Sequence, residues 1–260
     1  MRRSFIASVS ILAILTAAAL SPAVAQQLPT PPHGFQPPPP PPVKAYKPIA
    51  ETPPADFNDP AFEAFRKNLA AVVQKKDRAA LAKLVVAQGF FWLQDKDLAD
   101  SSKPGIDNLA TAIGLDGANA AGWAILASAA QDPTAMEEPQ RKGLFCAPAP
   151  PTFDAKALGA LMEQSGTDPS EWGYPEDEGT EVRSAPQPNA PVVEKLGNYF
   201  VRVLTDSSGQ FLHIALPDGK SGFVPTDALA PLISDQICYA KDAGGWKIAG
   251  YVGGVPQDQK

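Results

Sequence analysis

Histidine is almost missing from this sequence: there are two, His33 and His213, in 260 residues. That scarcity excludes most metal and triad chemistry built on imidazole. Positive charge is also thin. Lys and Arg number 22 against 28 acids, a net charge of −6, and they form no long run anywhere. Nucleic-acid surfaces need a basic face to neutralise phosphates, so that class of partner is excluded. After Ala25 no apolar stretch approaches the ~20 residues that cross a bilayer. Aromatics make up only 8 %, yet 44 % apolar content is enough to build a core, and the chain is not wholly disordered. What the sequence does have in excess is proline: 29 residues, about twice the usual share of roughly 5 %. The length allows one large domain or two small ones.

Arg2 and Arg3 precede the apolar run 5–20, which Ser21-Pro22 breaks. Ala23-Val24-Ala25 then supplies the small residues of a signal-peptidase site. The alternative is an uncleaved anchor, but about 16 apolar residues fall short of a span. No cysteine follows the run for lipid attachment, and so short a basic region suits the general secretory route better than twin-arginine export. The expectation is a signal peptide over residues 1–25, cleaved after Ala25, and a periplasmic or secreted mature chain without a membrane span.

Residues 26–56 read as a proline-rich disordered tether. Positions 37–42 are all proline, and six more prolines flank them at 29, 31, 32, 48, 53 and 54. Proline fixes φ and donates no hydrogen bond, so an extended polyproline II segment rising ~3.1 Å per residue is expected. The preferred reading is a stiff spacer. The alternative is a ligand for a polyproline-binding groove, this chain's own included. His33 lies in this stretch without a neighbour to act with.

From 57 to 166 the pattern is helical. Asn58 or Asp59 before Pro60 marks a helix start, and Phe62, Phe65, Leu69, Val72 and Val73 recur on one face. Asp77 can cap a second helix burying Leu81, Leu84 and Val85. The block Phe90-Phe91-Trp92-Leu93 is either a buried strand or a loop plugging the core. Ile106, Leu109, Ala110 and Ile113 predict a third helix ended by Gly114, residues 120–130 a fourth, and Leu158, Leu161 and Met162 a fifth. Aromatics at these spacings serve a core better than a cofactor site.

Several chemical motifs fail on their spacing. Asp95, Asp97 and Asp100 suggest a calcium loop, but its glycine and closing glutamate are replaced by Asp100 and Ile106. Gly219-Lys220-Ser221 lacks the earlier glycine of a phosphate loop, where Ile214 stands. The acidic run Glu176, Asp177, Glu178 and Glu181 reads as solvated interdomain linker, placed at 167–179 and just beyond. Cys146 and Cys238 have only His213 as a possible base, and no nucleophile signature surrounds either. No catalytic constellation, metal site or cofactor is implied.

The last third reads as short strands joined by turns. Segments 181–186, 191–196, 199–204, 211–216 and 222–225 alternate in polarity, and Asp218-Gly219 is a tight hairpin turn. Such a series indicates a small barrel. The ordered pieces Val182-Arg183-Ser184-Ala185-Pro186, Asp218-Gly219-Lys220-Ser221-Gly222-Phe223-Val224-Pro225 and closing Leu229 resemble the bacterial SH3-like domain family over residues 180–231. Two departures are Phe211, where that family often has tryptophan, and Gly197-Asn198-Tyr199 in place of its Lys-Gly turn. The resemblance implies a binding or targeting module for cell-wall peptide or a protein partner, with no activity of its own. Residues 232–256 follow as a β-hairpin tail. With its Gly245-Trp246-Lys247-Ile248 ending, the whole chain resembles exported proteobacterial proteins joining a helical domain to such a module.

The fold expected is therefore α+β: a small helical domain, an SH3-like barrel and a β-hairpin tail. Tyr199, Phe211, His213 and Phe223 alternate against Leu212, Ile214 and Val224, so a shallow aromatic groove on the barrel is the candidate ligand site. These rings could equally seal an interface with the helices or the tail. Cys146 and Cys238 are the only cysteines, and export would place both in an oxidising compartment, where a disulfide is expected. Two inert buried thiols are the alternative. Function divides three ways: an envelope module recognising peptidoglycan or a protein; a structural or accessory subunit whose barrel packs on the helices; or a hydrolase targeted by the module, which the missing constellation disfavours. Packing of the groove would favour the accessory role. Oligomeric state is left open. Amino-terminal sequencing of protein from the envelope fraction should begin at Gln26, and a chain still starting at Met1 would overturn the export reading.

Overall fold

The computed structural model describes residues 44–94, 96–139, 141–205, 207 and 209–253. The expected signal peptide and the run of prolines lie outside the described residues. After a two-residue strand, β1 (Glu51–Thr52), Asp59 starts the first helix α1 (Pro60–Gln74) by accepting hydrogen bonds from the amides of Ala61 and Phe62 at 2.7 and 3.1 Å. Pro60 takes the first helical position, where a missing N–H costs nothing. Asp77 caps the short α2 (Arg78–Ala82) in the same way. The Phe-Phe-Trp-Leu block supplies strand β2 (Phe91–Leu93). Helix α3 (Gly105–Ile113) ends on Gly114, whose φ of 65° needs no Cβ. Gly122 opens α4 (Gly122–Gln131) with its α-carbon so close to Ile113 and Leu115 that a side chain would collide with both.

These helices cover one face of a five-stranded sheet. Its outer strands are β2 and β3 (Met136–Glu137), next to which lies β4 (Leu144–Ala147). Between β2 and β4 sits a hairpin from the far end of the chain. Alternation sorts its residues onto two faces. Ile237, Tyr239, Trp246, Ile248 and Tyr251 enter the helical core beside Phe62, Leu69, Leu109 and Leu126. Trp246 and Tyr239 meet Phe62 edge-on, with ring centroids 5.1 and 5.0 Å away. Cys238 points to the other face, where it joins Cys146, Phe91, Leu93, Leu144 and Val252. Gly250 leaves room there for the Phe91 ring, over which the Arg141 guanidinium lies at 4.2 Å.

The chain between β4 and that hairpin builds a second layer. Strand β5 (Thr152–Phe153) pairs with β1, and Asp154 caps α5 (Ala155–Ser165). Seven strands follow or interleave in an antiparallel sheet: β6 (Trp172–Pro175), β7 (Glu181–Arg183), β8 (Val192–Lys195), β9 (Val201–Val203), β10 (Phe211–Ala215), β11 (Ser221–Pro225) and β12 (Leu229–Pro231). Their spatial order is β12-β6-β9-β10-β11-β7-β8. The edges β12 and β8 are not paired with each other, so the sheet is open among the described residues. Its inner face packs Val182, Leu196, Val201, Ile214, Leu216, Val224 and Leu229. The hairpin closing the first sheet comes last, as β13 (Gln236–Asp242) and β14 (Gly245–Val252). The fold is α+β.

Three packing arrangements divide the chain differently from its sequence pattern. The terminal hairpin is no appendage, because its alternate residues fill the helical core. Helix α5 leaves the other helices and buries Leu158 with Trp172 and Phe200, joined by Leu161 and Met162. Residues 44–52 are held by the second sheet: the Tyr46 amide donates to the Pro217 carbonyl at 2.9 Å, its hydroxyl donates to Ala215 at 3.1 Å, and its ring meets Trp172 edge-on. The presumed linker is likewise structured, with Trp172 1 % exposed on β6. An apolar side chain is spent wherever it can be covered, and sequence order does not restrict where that is.

Cys146 and Cys238 are bonded to each other. They stand directly opposite on β4 and β13, Cα atoms 4.0 Å apart, well inside the ~7 Å limit for a bridge. The bond closes a loop of 92 residues. Chain entropy assigns such a closure roughly 4 to 5 kcal/mol. Urea unfolding of the Cys146→Ala/Cys238→Ala protein should show a loss of that order, minus whatever the two small side chains recover by packing; a loss below about 1 kcal/mol would contradict this account.

Candidate binding site

The face of the seven-stranded sheet opposite its core carries the candidate groove residues. Along β10, Leu212 and Ile214 turn inward while Phe211 and His213 turn outward. Antiparallel register then lines up outward neighbours across four strands: His213 opposes Phe223 of β11, Phe223 opposes Arg183 of β7, and Arg183 opposes Val192 of β8. Directly opposed residues share a face, so these four form a stripe across the sheet. Its first pair is stacked, with ring centroids 4.4 Å apart and planes inclined by 13°. Phe211 stands one row away, opposite Pro225.

Exposure increases along the stripe, from 4 % at His213 through half-buried Phe223 and Arg183 to 42 % at Val192. Arg183 is fixed in two directions. Its guanidinium donates to the Ala190 carbonyl at 2.9 Å and to Glu181 at 2.8 Å. The His213 amide donates to Ser207 Oγ at 2.9 Å, and that hydroxyl donates in turn to the Leu204 carbonyl. At the far turn, Lys220 Nζ holds Asp218 at 2.6 Å and keeps its carboxyl below the usual range, aided by the Lys220 amide.

The four sequence candidates are not all brought together. His213 and Phe223 touch, and Phe211 shares their face but is 8 % exposed. Tyr199 packs against the inner core, on the other side of the sheet from them, and its backbone bridges to Ala50. Burial raises its phenol pKa. Arg183 and Val192 are stripe residues that the alternation argument passed over, since it followed aromatics along β10 and β11 alone. The signal was present in Val182-Arg183, where Val182 is fully buried and its successor must face out.

Away from the stripe, an open hollow of about 530 Å³ lies among Arg78, Lys103, Asp107, Thr111 and Asp116. Arg78 is already paired there with Asp107 at 2.8 Å and Asp116 at 3.3 Å, so the charges of the hollow neutralise one another. Among the described residues no group of three or more His, Cys, Asp or Glu is placed to hold a metal ion, and no helix is long and apolar enough to cross a membrane. Comparison with protein-family models, curated proteins and solved structures gives no match.

The stripe divides into a structural and an accessible part, and substitutions should reveal the division. Phe211→Ala is expected to cost about 3 kcal/mol in chemical denaturation, because a buried ring leaves a cavity. Val192→Ser should change stability by less than about 0.5 kcal/mol, as exposed positions do. Equal effects would mean that Phe211 is not packed as described.

Proposed function

We propose that this is an exported, non-enzymatic accessory protein of the cell envelope, whose seven-stranded unit is an SH3-like module built into a helical body. The observation that carries this reading is the packing of the expected groove: Phe211 and His213 are buried, and Tyr199 is tied to residue 50 by a backbone bridge. A module so enclosed serves as a joint within a protein rather than as a free receptor. The SH3-like reading is supported by the role of two motif residues. Arg183, from the Val-Arg-Ser-Ala-Pro stretch, holds the 184–190 loop through the Ala190 carbonyl. Asp218 accepts from the Lys220 amide at 3.0 Å in the turn joining β10 to β11. The Cys146–Cys238 bond supports export, because disulfides persist in oxidising compartments.

A second reading, recognition of cell-wall peptide or an envelope protein by the module itself, has one observation in its favour. The outer half of the stripe, Phe223 over His213 followed by Arg183 and Val192, offers an apolar surface with a fixed cation. Sedimentation with purified sacculi separates the two. An accessory protein stays in the supernatant. Pelleting that falls at least tenfold in Phe223→Ala would replace the accessory reading with the binding one, and release of soluble fragments from the sacculi would overturn the non-enzymatic assignment.

A further inference from the structure

Glu51 occupies an unusual position for a carboxylate. It is 5 % exposed, and neither side-chain oxygen has a hydrogen-bond partner. An ionised carboxylate without a partner is costly to bury, whereas its protonated form is far less so. The backbone around it is firmly placed. Ala50 bridges Tyr199, the Glu51 amide donates to the Asn198 carbonyl at 3.0 Å, and the Phe200 amide donates to Ile49 at 3.1 Å. Glu51 and Thr52 pair with Phe153 and Thr152 of β5. This strap crosses the second sheet before the chain reaches α1.

We propose that Glu51 is an acid-sensitive latch: protonated, it lets residues 45–52 seat on the seven-stranded sheet, and ionised, it loosens that seat. The groups around it reinforce the direction. Phe153 opposes it from β5. Tyr174 on β6 lies within its field: burial and the negative charge of Glu176, Glu51 and Asp132 push its phenol up to about 12. Tyr199, from the turn before β9, has its phenol pKa raised by its own burial and by Glu194 and Asp218. Among the described residues no cation is paired with Glu51, and burial raises its carboxyl pKa. A raised acid pKa makes the stabilisation complete below the ordinary carboxylate pKa and lost as pH rises through the folded value. The strap is therefore held most firmly under acid conditions and eases toward neutrality.

The latch predicts a change confined to the strap. Hydrogen-exchange protection factors of the Glu51 and Phe200 amides, corrected for intrinsic rates, should fall roughly tenfold or more between pH 4 and pH 8 in the wild type, a tenfold change for each unit of displacement. In Glu51→Gln, which keeps the shape and cannot ionise, they should stay level across that range and exceed the wild type at pH 8. Glu51→Leu should behave like Glu51→Gln, which guards against an unmet need of the amide group. The same pH profile in wild type and both variants would overturn the proposal. So would lower protection in both variants at pH 4 and pH 8 alike, which would mean that the carboxylate has a stabilising partner.

Discussion

The structure depends on a single hairpin having two useful faces. Strands β13 and β14 offer Ile237, Tyr239, Trp246, Ile248 and Tyr251 to the helices and Cys238 to the opposite side. Helix α4 covers part of α1, and the hairpin rings cover the rest: Tyr239 meets Phe62 and Phe65, and Trp246 meets Phe62. The disulfide acts behind the same strand, fixing β13 to β4 by a covalent bond where the front is fixed by packing. Helices, sheet and bridge thus converge on one strand whose alternation has to be kept in register.

What the sequence made legible was local. Asp59 and Asp77 cap helices because a short acceptor before an apolar run has one good use. The turn at Asp218-Gly219 and the pairing of the only two cysteines follow from equally near neighbours and simple counting. The parallel pairing of β2 with β14 was not legible, since Phe90-Phe91-Trp92-Leu93 is apolar throughout and carries no period to orient it. Nor was the placement of α5: Leu158, Leu161 and Met162 specify a buried face but not the surface that buries it. Alternation along β10 gave the outward side of Phe211 and His213, yet it could not distinguish an outward side chain that is exposed from one that is buried, as both are.

The proline-rich segment shows the same limit from the other direction. Composition describes residues 26–56 as one extended stretch, but the second sheet holds Tyr46, Ile49 and Glu51, and Asp56 bridges Thr134 beside the helices. Tyr46 has a large ring to bury and a hydroxyl that finds a backbone carbonyl, which suits it to anchor this segment. Glu51 lies a few residues further along, in a setting where its charge state and its burial compete. The strap therefore combines a permanent anchor with a conditional one.

The terminal position of the β13–β14 hairpin also affects how the protein reaches this fold. Lys241 on β13 meets Asp59 at the cap of α1 across 182 positions of sequence, and the entire seven-stranded unit lies between them. Contacts so distant close slowly, because loop entropy is lost before they form. During synthesis, α1 emerges long before the strands that cover it, and its apolar face has to wait. The seven-stranded unit, whose strands are near neighbours in the chain, can assemble in that interval. The helical core is then completed only when β13 and β14 arrive, although α1 precedes both in the chain.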